Sequence, residues 1–321
     1  MNKRLNSRLT GTIFTALALL FATVAGFSQT ATPPAGADEI IRLAAAQRLA
    51  YVAEFKNLLS RETKTFQMIG KDGRVKKEKA VVSTFLVYQL PGNGGRISEF
   101  RSVQSVDGKP VDGSETRTNE FFQTVARAGS NEQQLEAIQK ESTRYDDSFI
   151  INGLTLYQSI ELDDALRPAF KFTMRGRENI EGHEVYVIDY EQTTPTPYIY
   201  TNSKKAPPDG KLSYTFDSGY GSRDVDPRLS GTLYIDAATH QVRRAVRRAT
   251  ISPDRNATRV PVSETDFQYT DSEFGILSPK KIVLTQFRPK SGTSQKEAVV
   301  TFDYDKFRRP ETDVKMVEET N

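Results

Sequence analysis

Few residues in this chain have the chemistry that catalysis or metal binding requires. The sequence contains no cysteine and two histidines, His183 and His240. Thiolate nucleophiles, thiolate zinc sites, disulfides and most triad chemistry are therefore excluded. His183 follows Gly182 at a predicted turn, and His240 lies in a predicted turn at 236–241. We interpret both histidines as solvent-facing turn residues rather than as bases.

The acidic residues form no recognisable catalytic or metal-binding pattern. Asp146-Asp147 and Asp163-Asp164 are adjacent, and adjacent side chains diverge by about 100° on a helix or point to opposite faces of a strand. We interpret both pairs as turn or cap residues. The spacing of Asp107, Asp112 and Glu115 matches no calcium-binding loop, and the sequence has no P-loop or dinucleotide-binding fingerprint. No enzyme, cofactor or metal is predicted, although a hydrolase with an unrecognised site stays open as an alternative.

The composition is that of a chain with a packed core and a leader. Hydrophobic residues make up 37%, charged residues 26%, and the mean hydropathy is −0.53, which excludes a polytopic membrane protein. Residues 1–30 have the pattern of a signal peptide. Three basic residues precede an apolar run at 13–27, which is shorter than the ~20 residues of a membrane span. Cleavage is expected within 25–31, and an uncleaved anchor is the alternative.

The leader predicts the location of the mature protein, and the charge balance bears on what it contacts. The chain is predicted to be periplasmic or secreted, without a cysteine for lipid attachment. Because the leader holds three basic residues and no acid, the mature chain has 41 Lys plus Arg against 41 Asp plus Glu, which gives no support for nucleic-acid binding. The basic run Arg243, Arg244, Arg247 and Arg248 is interpreted as the solvated outer face of a strand. Docking of these four residues to an anionic membrane surface or an acidic envelope partner is the alternative.

Hydrophobic periodicity predicts one domain at 37–309, with helical spacing near its start and a period of two in most of the rest. The predicted segments are an N-terminal helix at 37–60, first strands at 63–107, a helical plug or lid at 117–166, a second strand set at 168–307 with a mobile Pro- and Gly-rich insertion at 192–229, and a flexible tail at 310–321.

The number and order of these strands indicate the fold class. About eleven consecutive strands joined mostly by short loops favour an antiparallel sheet over any βαβ topology. A sheet of that length tends to curl, and the interspersed helices are available to cover its concave side. We therefore predict an α+β fold with a strongly curved, mostly antiparallel sheet, a half-open β-barrel.

An apolar inner face without a polar catalytic cluster is suited to hold an aliphatic chain. The strands supply ten candidate ligand-binding residues, which are Phe170, Phe172, Met174, Tyr186, Ile188, Tyr190, Leu233, Ile235, Val300 and Phe302. The predicted plug supplies three more, which are Leu154, Leu156 and Tyr157. The alternative is that these side chains form an ordinary closed core, because any sheet buries alternating aromatic residues.

Two stretches of the sequence also carry a resemblance. Residues 231–246 have the pattern of a strand, a turn at Asp236 and a charged return strand. In the next pair of strands, Gly275 lies in the turn and Pro279 follows it at the start of the second strand. This pattern resembles the half-open barrels of the LolA, LolB and LppX lipoprotein and lipid carriers, and sensors such as RseB are similar. Segments 100–111 and 302–310 look like exported acidobacterial proteins of uncharacterised function. The resemblance implies the fold and a hydrophobic ligand, a lipid or lipoprotein acyl chain, and transfers no individual functional residue.

Three hypotheses follow for the function. The first is a non-enzymatic exported carrier of a hydrophobic ligand, the second is an envelope sensor or interaction scaffold with the same barrel, and the third is a hydrolase. A solvent-open tunnel lined by the candidate residues favours the carrier, and interlocked side chains favour the scaffold. A monomer is expected in each case.

The leader generates the first prediction. Fractionation of the native host should place the protein in the periplasm or medium, about thirty residues shorter than the gene product by intact mass. Recovery of the full-length chain in the inner membrane would contradict the cleaved signal.

Overall fold

The computed structural model describes residues 36–90, 97–128, 131–146, 154–201, 211–219, 225–252, 258–290 and 293–310. The predicted signal peptide and the predicted tail beyond residue 310 lie outside these residues. Within the described part of the chain, no helix combines the length and apolar character that a membrane crossing requires.

Eleven of the described strands form one sheet, and two more form a small separate pair. The strands are β1 (Leu58–Ile69), β2 (Val75–Gln89), β3 (Ile97–Val106), β4 (Lys109–Pro110), β5 (Phe170–Ile180), β6 (His183–Gln192), β7 (Ile199–Thr201), β8 (Tyr214–Phe216), β9 (Asp226–Asp236), β10 (Val242–Ser252), β11 (Val260–Asp271), β12 (Leu277–Lys290) and β13 (Thr293–Tyr304).

The order of the large sheet is β4-β3-β2-β1-β13-β12-β11-β10-β9-β6-β5, and every neighbouring pair is antiparallel. Strands β4 and β5 lie at its two ends, so the strand order of the described residues does not close on itself. The predicted α+β class with one open antiparallel sheet of about eleven strands is confirmed.

The helical elements of the described chain lie in two blocks before β5. They are α1 (Ala37–Glu54), α2 (Ser114–Ala128), α3 (Glu132–Ser142) and three 3-10 turns at Leu154–Tyr157, Ile160–Leu162 and Arg167–Ala169. We call residues 154–169, which contain the three 3-10 turns, the plug segment.

Helix α1 ends at Glu54, six residues before the predicted end at residue 60. Asn57 has a φ of 53°, a left-handed conformation that stops a helix, and its side chain accepts a hydrogen bond from the backbone N–H of Gln89 at 3.1 Å. Leu58 and Leu59 fit the helical spacing, but they begin β1, where alternation buries Leu58 and leaves Leu59 half-buried. Spacing alone therefore could not locate this boundary.

Alternate residues of the long strands form an inner face that is covered by α1 and the plug segment. Register places Phe172 opposite Tyr190 and Ile188 opposite Leu233 on this face. The inner face, α1 and the plug segment share one apolar core. The buried apolar residues from α1 and the plug segment are Ile40, Ile41, Ala44, Ala45, Tyr51, Leu154, Ile160, Leu162, Leu166 and Ala169.

Helices α2 and α3 pack on the opposite face of the sheet, which corrects part of the predicted plug at 117–166. Leu86 and Phe100 are paired on that face and form a second core with Val125, Leu135 and Ile138 of the two helices. The reason is that β2 is apolar on both faces near its end. Each of those faces needs its own cover, so the two long helices are not available to the inner face.

Helix α3 also covers part of the edge of β3. The side chain of Gln139 donates a hydrogen bond to the backbone oxygen of Glu99 at 3.0 Å, and the backbone N–H of Arg101 donates to the hydroxyl of Ser142 at 3.1 Å. Strand β4 pairs with β3 at Ser105 and Val106, and none of the described strands pairs with this stretch of the β3 edge. Side chains therefore satisfy the backbone groups that a neighbouring strand would otherwise bind.

The predicted insertion at 192–229 contains ordered pieces in its described parts. Strand β8 lies within the insertion and pairs in parallel with β7. Ile199 and Tyr214 are buried in the main core together with Val225. Residues 202–210 and 220–224 of the insertion lie outside the described residues, and mobility of the insertion stays a prediction.

One glycine permits a close contact on the inner face. A Cβ on Gly231 would lie 1.8 Å from the backbone oxygen of Val246 and 2.7 Å from the hydroxyl oxygen of Tyr190. No side chain fits this space unless the neighbouring strand moves. Tyr190 uses the same space to donate a hydrogen bond to the Val246 oxygen at 3.3 Å.

The second prediction concerns this contact. Gly231→Ala should lower the free energy of unfolding by at least the ~1 to 3 kcal/mol of an overpacked core, because the clash involves backbone as well as a side chain. Ser230→Ala, one residue earlier on the other face of β9, should change it by less than ~0.5 kcal/mol. Urea unfolding measures both, and an unaffected Gly231→Ala protein would show that β9 and β10 are not held at this distance.

Candidate functional site

The ten predicted strand residues all lie on the inner face and in the same core. We call these ten residues the apolar wall. Seven are buried, with Ile188, Leu233, Ile235 and Phe302 fully inaccessible. The other three, Phe172, Met174 and Tyr186, are half-buried and lie on the last two strands of the sheet. Their action as a ligand site stays a prediction.

The plug residues named from the sequence lie against this wall. Leu154 is buried and Leu156 is half-buried in the main core, whereas the side chain of Tyr157 lies outside the described residues. Helix α1 is a further cover that the sequence did not assign to the site. Its inward side is buried, whereas its apolar residues Leu49 and Val52 are 59% and 38% exposed.

The wall, α1 and the plug segment pack in one apolar core. A cavity of ≈10 Å³ between α1, the plug segment and β10 has space for about one water molecule. A larger cavity of ≈500 Å³ is at the β3–β4 end, and its lining includes Asp107, Lys109, Asp112 and Arg144 rather than wall residues. The plug segment therefore covers part of the wall in the described structure.

Charged side chains are buried at two points of the inner face in the described part of the chain, and no local pattern in the sequence predicts either group. The first group, called the Arg101 cluster, consists of Glu62, Lys64, Glu99, Arg101 and Asp146. The Arg101 guanidinium contacts the two carboxylate oxygens of Glu62 at 2.7 and 2.9 Å and Glu99 at 3.3 Å. The Lys64 ammonium lies 2.8 Å from both oxygens of Asp146. Asp146 is thus an ion-pair partner, where the sequence predicted turn or cap duty.

The Arg101 cluster also holds the plug segment. One carboxylate oxygen of Glu99 accepts hydrogen bonds from the backbone N–H of Thr155 at 2.9 Å and from its hydroxyl at 2.6 Å.

Burial alone raises the pKa of Glu62, but the charges of Arg101 and Lys64 and the hydrogen bonds from Arg101 outweigh this effect, and the pKa of Glu62 is lowered. Glu62 therefore stays ionised inside the core.

The second group, called the Arg247 cluster, consists of Arg48, Glu161, Asp163 and Arg247. Arg247 on β10 contacts Glu161 of the plug segment at 3.3 Å, and both side chains are at most 1% exposed. Arg48 on α1 contacts Asp163 of the plug segment at 2.9 Å and donates to the backbone oxygen of Gln158 at 3.3 Å. Asp163 also accepts from the backbone N–H of Ala165 at 3.0 Å, which is the predicted turn role.

The four arginines of the basic run do not share an outer face. Arg247 is 1% and Arg243 is 6% exposed, so the interpretation of one solvated strand face is wrong for these two residues. Arg243 is paired with Asp236 at 2.6 Å. Arg244 makes a two-point contact with Asp266 at 2.9 Å, and Arg248 is paired with Glu264. All four cations therefore have carboxylate partners, which weakens the membrane-docking alternative.

The histidines form no catalytic arrangement with the described residues around them. The two ring nitrogens of His183 lie 3.5 Å from Asp236 and 3.7 Å from Asp271, beyond ordinary hydrogen-bond distance. Burial alone raises the pKa of Asp236, but hydrogen bonds from Arg243 and the backbone lower it, so this carboxylate is a weak base. His240 has a φ of 58° in its turn and stacks on Tyr186 with ring centres 6.4 Å apart. No group of side chains suited to a metal ion is found among the described residues.

Comparison with known proteins gives matches at the level of solved structures. No family model and no curated protein matches the chain. A DUF1329 family protein from Desulfovibrio piger is 14% identical, covering 88% of this chain and 95% of that one with a TM-score of 0.34. A LolA superfamily protein from Nitrosomonas europaea is 11% identical, with coverages of 86% and 94% and a TM-score of 0.29. The Mycobacterium tuberculosis lipoprotein LppX is 12% identical, with coverages of 85% and 98% and a TM-score of 0.25. The last two of these matches carry the names LolA and LppX, which are also the names of carriers that residues 231–246 resemble.

The third prediction concerns the acid stability conferred by Glu62. Because its pKa is lowered on folding, its contribution is present above the ordinary value of 4.5 and is lost as the pH falls through the folded-state pKa. Glu62→Gln leaves Arg101 short of a carboxylate and should cost ~3 to 5 kcal/mol at pH 7, and this cost should shrink below pH 4.5. Denaturant unfolding at several pH values measures the difference.

The matched control is Glu78→Gln on β2, an exposed carboxylate bonded to Gln67. This variant should stay within ~0.5 kcal/mol of wild type at every pH. A cost for Glu62→Gln that does not depend on pH would contradict a lowered pKa.

Proposed function

We propose that this protein is a non-enzymatic, exported carrier that binds a hydrophobic ligand, a lipid or lipoprotein acyl chain, against the apolar wall. The observation that supports this most is the incomplete cover at one end of the wall. Phe172, Met174 and Tyr186 are half-buried on β5 and β6, and they continue into the buried residues Phe170, Ile188 and Tyr190. An apolar chain could begin its contact at this end without disturbing the sheet.

Further entry requires the ligand to replace the plug segment. The plug segment buries Leu154, Ile160, Leu162 and Leu166, so its removal alone would expose a large apolar area. A ligand that covers the same wall restores that burial, because the hydrophobic effect is non-directional and scales with the area removed from water. At ~0.8 kcal/mol per methylene, an acyl chain of about fourteen carbons gains on the order of 11 kcal/mol before the cost of ordering.

The contacts that hold the plug segment are compatible with its displacement from the sheet. The main-chain hydrogen bonds that hold the sheet together run between strands. The plug segment makes such a bond at its last residue, where the backbone oxygen of Ala169 accepts from the backbone N–H of Thr193 at 2.8 Å, and its central part is tied to its neighbours by side chains. Thr155 is held by Glu99 and by the hydroxyl of Tyr51, which donates to its backbone oxygen at 2.9 Å. Release of the plug segment would therefore leave the strand register unchanged.

An envelope interaction scaffold is the second candidate, and one observation favours it. Seven of the ten wall residues are buried, and the wall shares one apolar core with α1 and the plug segment. A scaffold needs the sheet as a stable support and never needs the wall exposed. Ligand binding at the wall separates the two proposals.

The fourth prediction tests the carrier with residues at the open end of the wall. Met174→Asp places a carboxylate among apolar side chains at the proposed entry, which should weaken binding of a fluorescent fatty-acid probe at least ~10-fold. Thr173→Asp, the adjacent exposed residue on the other face of β5, should leave probe binding unchanged. Fluorescence titration measures both, with the unfolding midpoint as a check on folding.

The carrier proposal fails if the wild-type protein binds no apolar probe, or if Met174→Asp and Thr173→Asp bind it equally well. Native mass spectrometry of protein purified from its own envelope then identifies any lipid that accompanies it.

A further inference from the structure

We propose that the Arg247 cluster selects an acyl ligand with an anionic head group, whose carboxylate or phosphate oxygens replace those of Glu161 on Arg247. This inference rests on the proposed carrier function and specifies the ligand class. The guanidinium of Arg247 is buried in the middle of an apolar surface.

Arg247 lies on the inner face of β10, opposite Gly231 of β9 and Thr265 of β11. Its guanidinium lies over the rings of Phe267 and Tyr214, at 4.9 and 5.3 Å from the ring centres. Because Gly231 has no side chain, the ring of Tyr190 fits next to this glycine, which lies opposite Arg247. Strands and rings on several sides thus fix the cation in place. A cation on the wall needs an anion nearby in every state of the protein.

The anions that pair with this part of the wall come from the plug segment. Glu161 is paired with Arg247, and Asp163 is paired with Arg48 of α1. Both cations belong to elements that stay in place when the plug segment leaves. Displacement by a neutral chain would remove both carboxylates together, whereas an anionic head group supplies a replacement.

The pairing of Glu161 is also incomplete in the described structure. One of its carboxylate oxygens contacts Arg247 at 3.3 Å, and the other, Oε1, is buried without a hydrogen-bond partner. The hydroxyl of Ser159, two residues earlier in the plug segment, is likewise buried without a partner. A carboxylate or phosphate that meets the guanidinium at two points would bind it better than Glu161 does.

The Arg101 cluster shows the contrast. Arg101 on β3 is paired with Glu62 of β1 and Glu99 of β3, so both of its carboxylates belong to the sheet. This cation keeps its anions when the plug segment leaves. Selection by charge is therefore expected at Arg247 and not at Arg101.

The experiment compares ligands that share one chain and differ in the head group. Isothermal titration with dodecanoate, dodecyl phosphate, 1-dodecanol and dodecylamine, each below its micelle concentration, should give wild-type affinities for the two anions roughly 10- to 150-fold above that for the alcohol. The amine should bind more weakly than the alcohol. Acetate and inorganic phosphate, which have the head group alone, should not bind measurably.

Variants assign the preference to Arg247. Glu161→Gln removes the competing carboxylate and should raise the ratio of anion to alcohol affinity. The double variant Arg247→Met with Glu161→Gln removes both charges, which avoids an unpaired buried ion, and should bind dodecanoate and dodecanol within about twofold of each other. Arg244→Met, on the outer face of the same strand, should keep the wild-type preference.

The outcomes separate this inference from the proposed function. If none of the dodecyl ligands binds the wild-type protein, the carrier proposal fails and this inference fails with it. If the alcohol and the anions bind equally, or if the preference for anions survives in the double variant, the wall binds chains without a charge-selective site and the inference alone is wrong. Binding of inorganic phosphate as tight as that of dodecyl phosphate would overturn it as well, because the site would then serve a free anion.

Discussion

The structure depends on one constraint, which is that a long open sheet with an apolar face must be covered by elements outside the sheet. The covers bring their own backbone polar groups onto that face, and those groups need partners. The hydroxyl of Tyr51 satisfies the backbone oxygen of Thr155, Glu99 satisfies its N–H, and Arg48 satisfies the backbone oxygen of Gln158. Buried charged residues on the inner face are therefore a consequence of the irregular chain that lies over it.

This constraint also explains how a mostly apolar wall can contain arginine. Arg101 and Arg247 lie over aromatic rings, Phe85 in the first case and Phe267 in the second, and each has a carboxylate partner. The flat faces of the guanidinium contact apolar atoms while its edges bind oxygen. Arginine can thus be part of a packed surface and carry a charge there, which lysine achieves less readily.

Strand alternation was the part of the sequence that predicted structure best. The patterns of β5, β6, β9 and β13 placed ten residues on one face, and all ten lie there, because alternation follows directly from strand geometry. The same rule failed for Arg243 and Arg247, since charged residues in a strand were assigned to solvent. The partner of Arg247 is 86 residues away in the plug segment, and no local pattern reveals such a pair. The end of α1 and the opposite placement of α2 and α3 likewise depended on tertiary contacts that periodicity does not encode.

The pairing of β1 with β13 determines when the sheet can form relative to synthesis of the chain. These strands neighbour each other at the centre of the sheet, with Glu62 opposite Tyr304, although nearly the whole domain lies between them in sequence. The two halves of the sheet cannot join until the last strand has been synthesised and is free to pair. Contacts between such distant residues slow folding, because a long loop must close before they are gained. The complete sheet, and the core that its two halves share, can therefore form only after the whole domain has been synthesised.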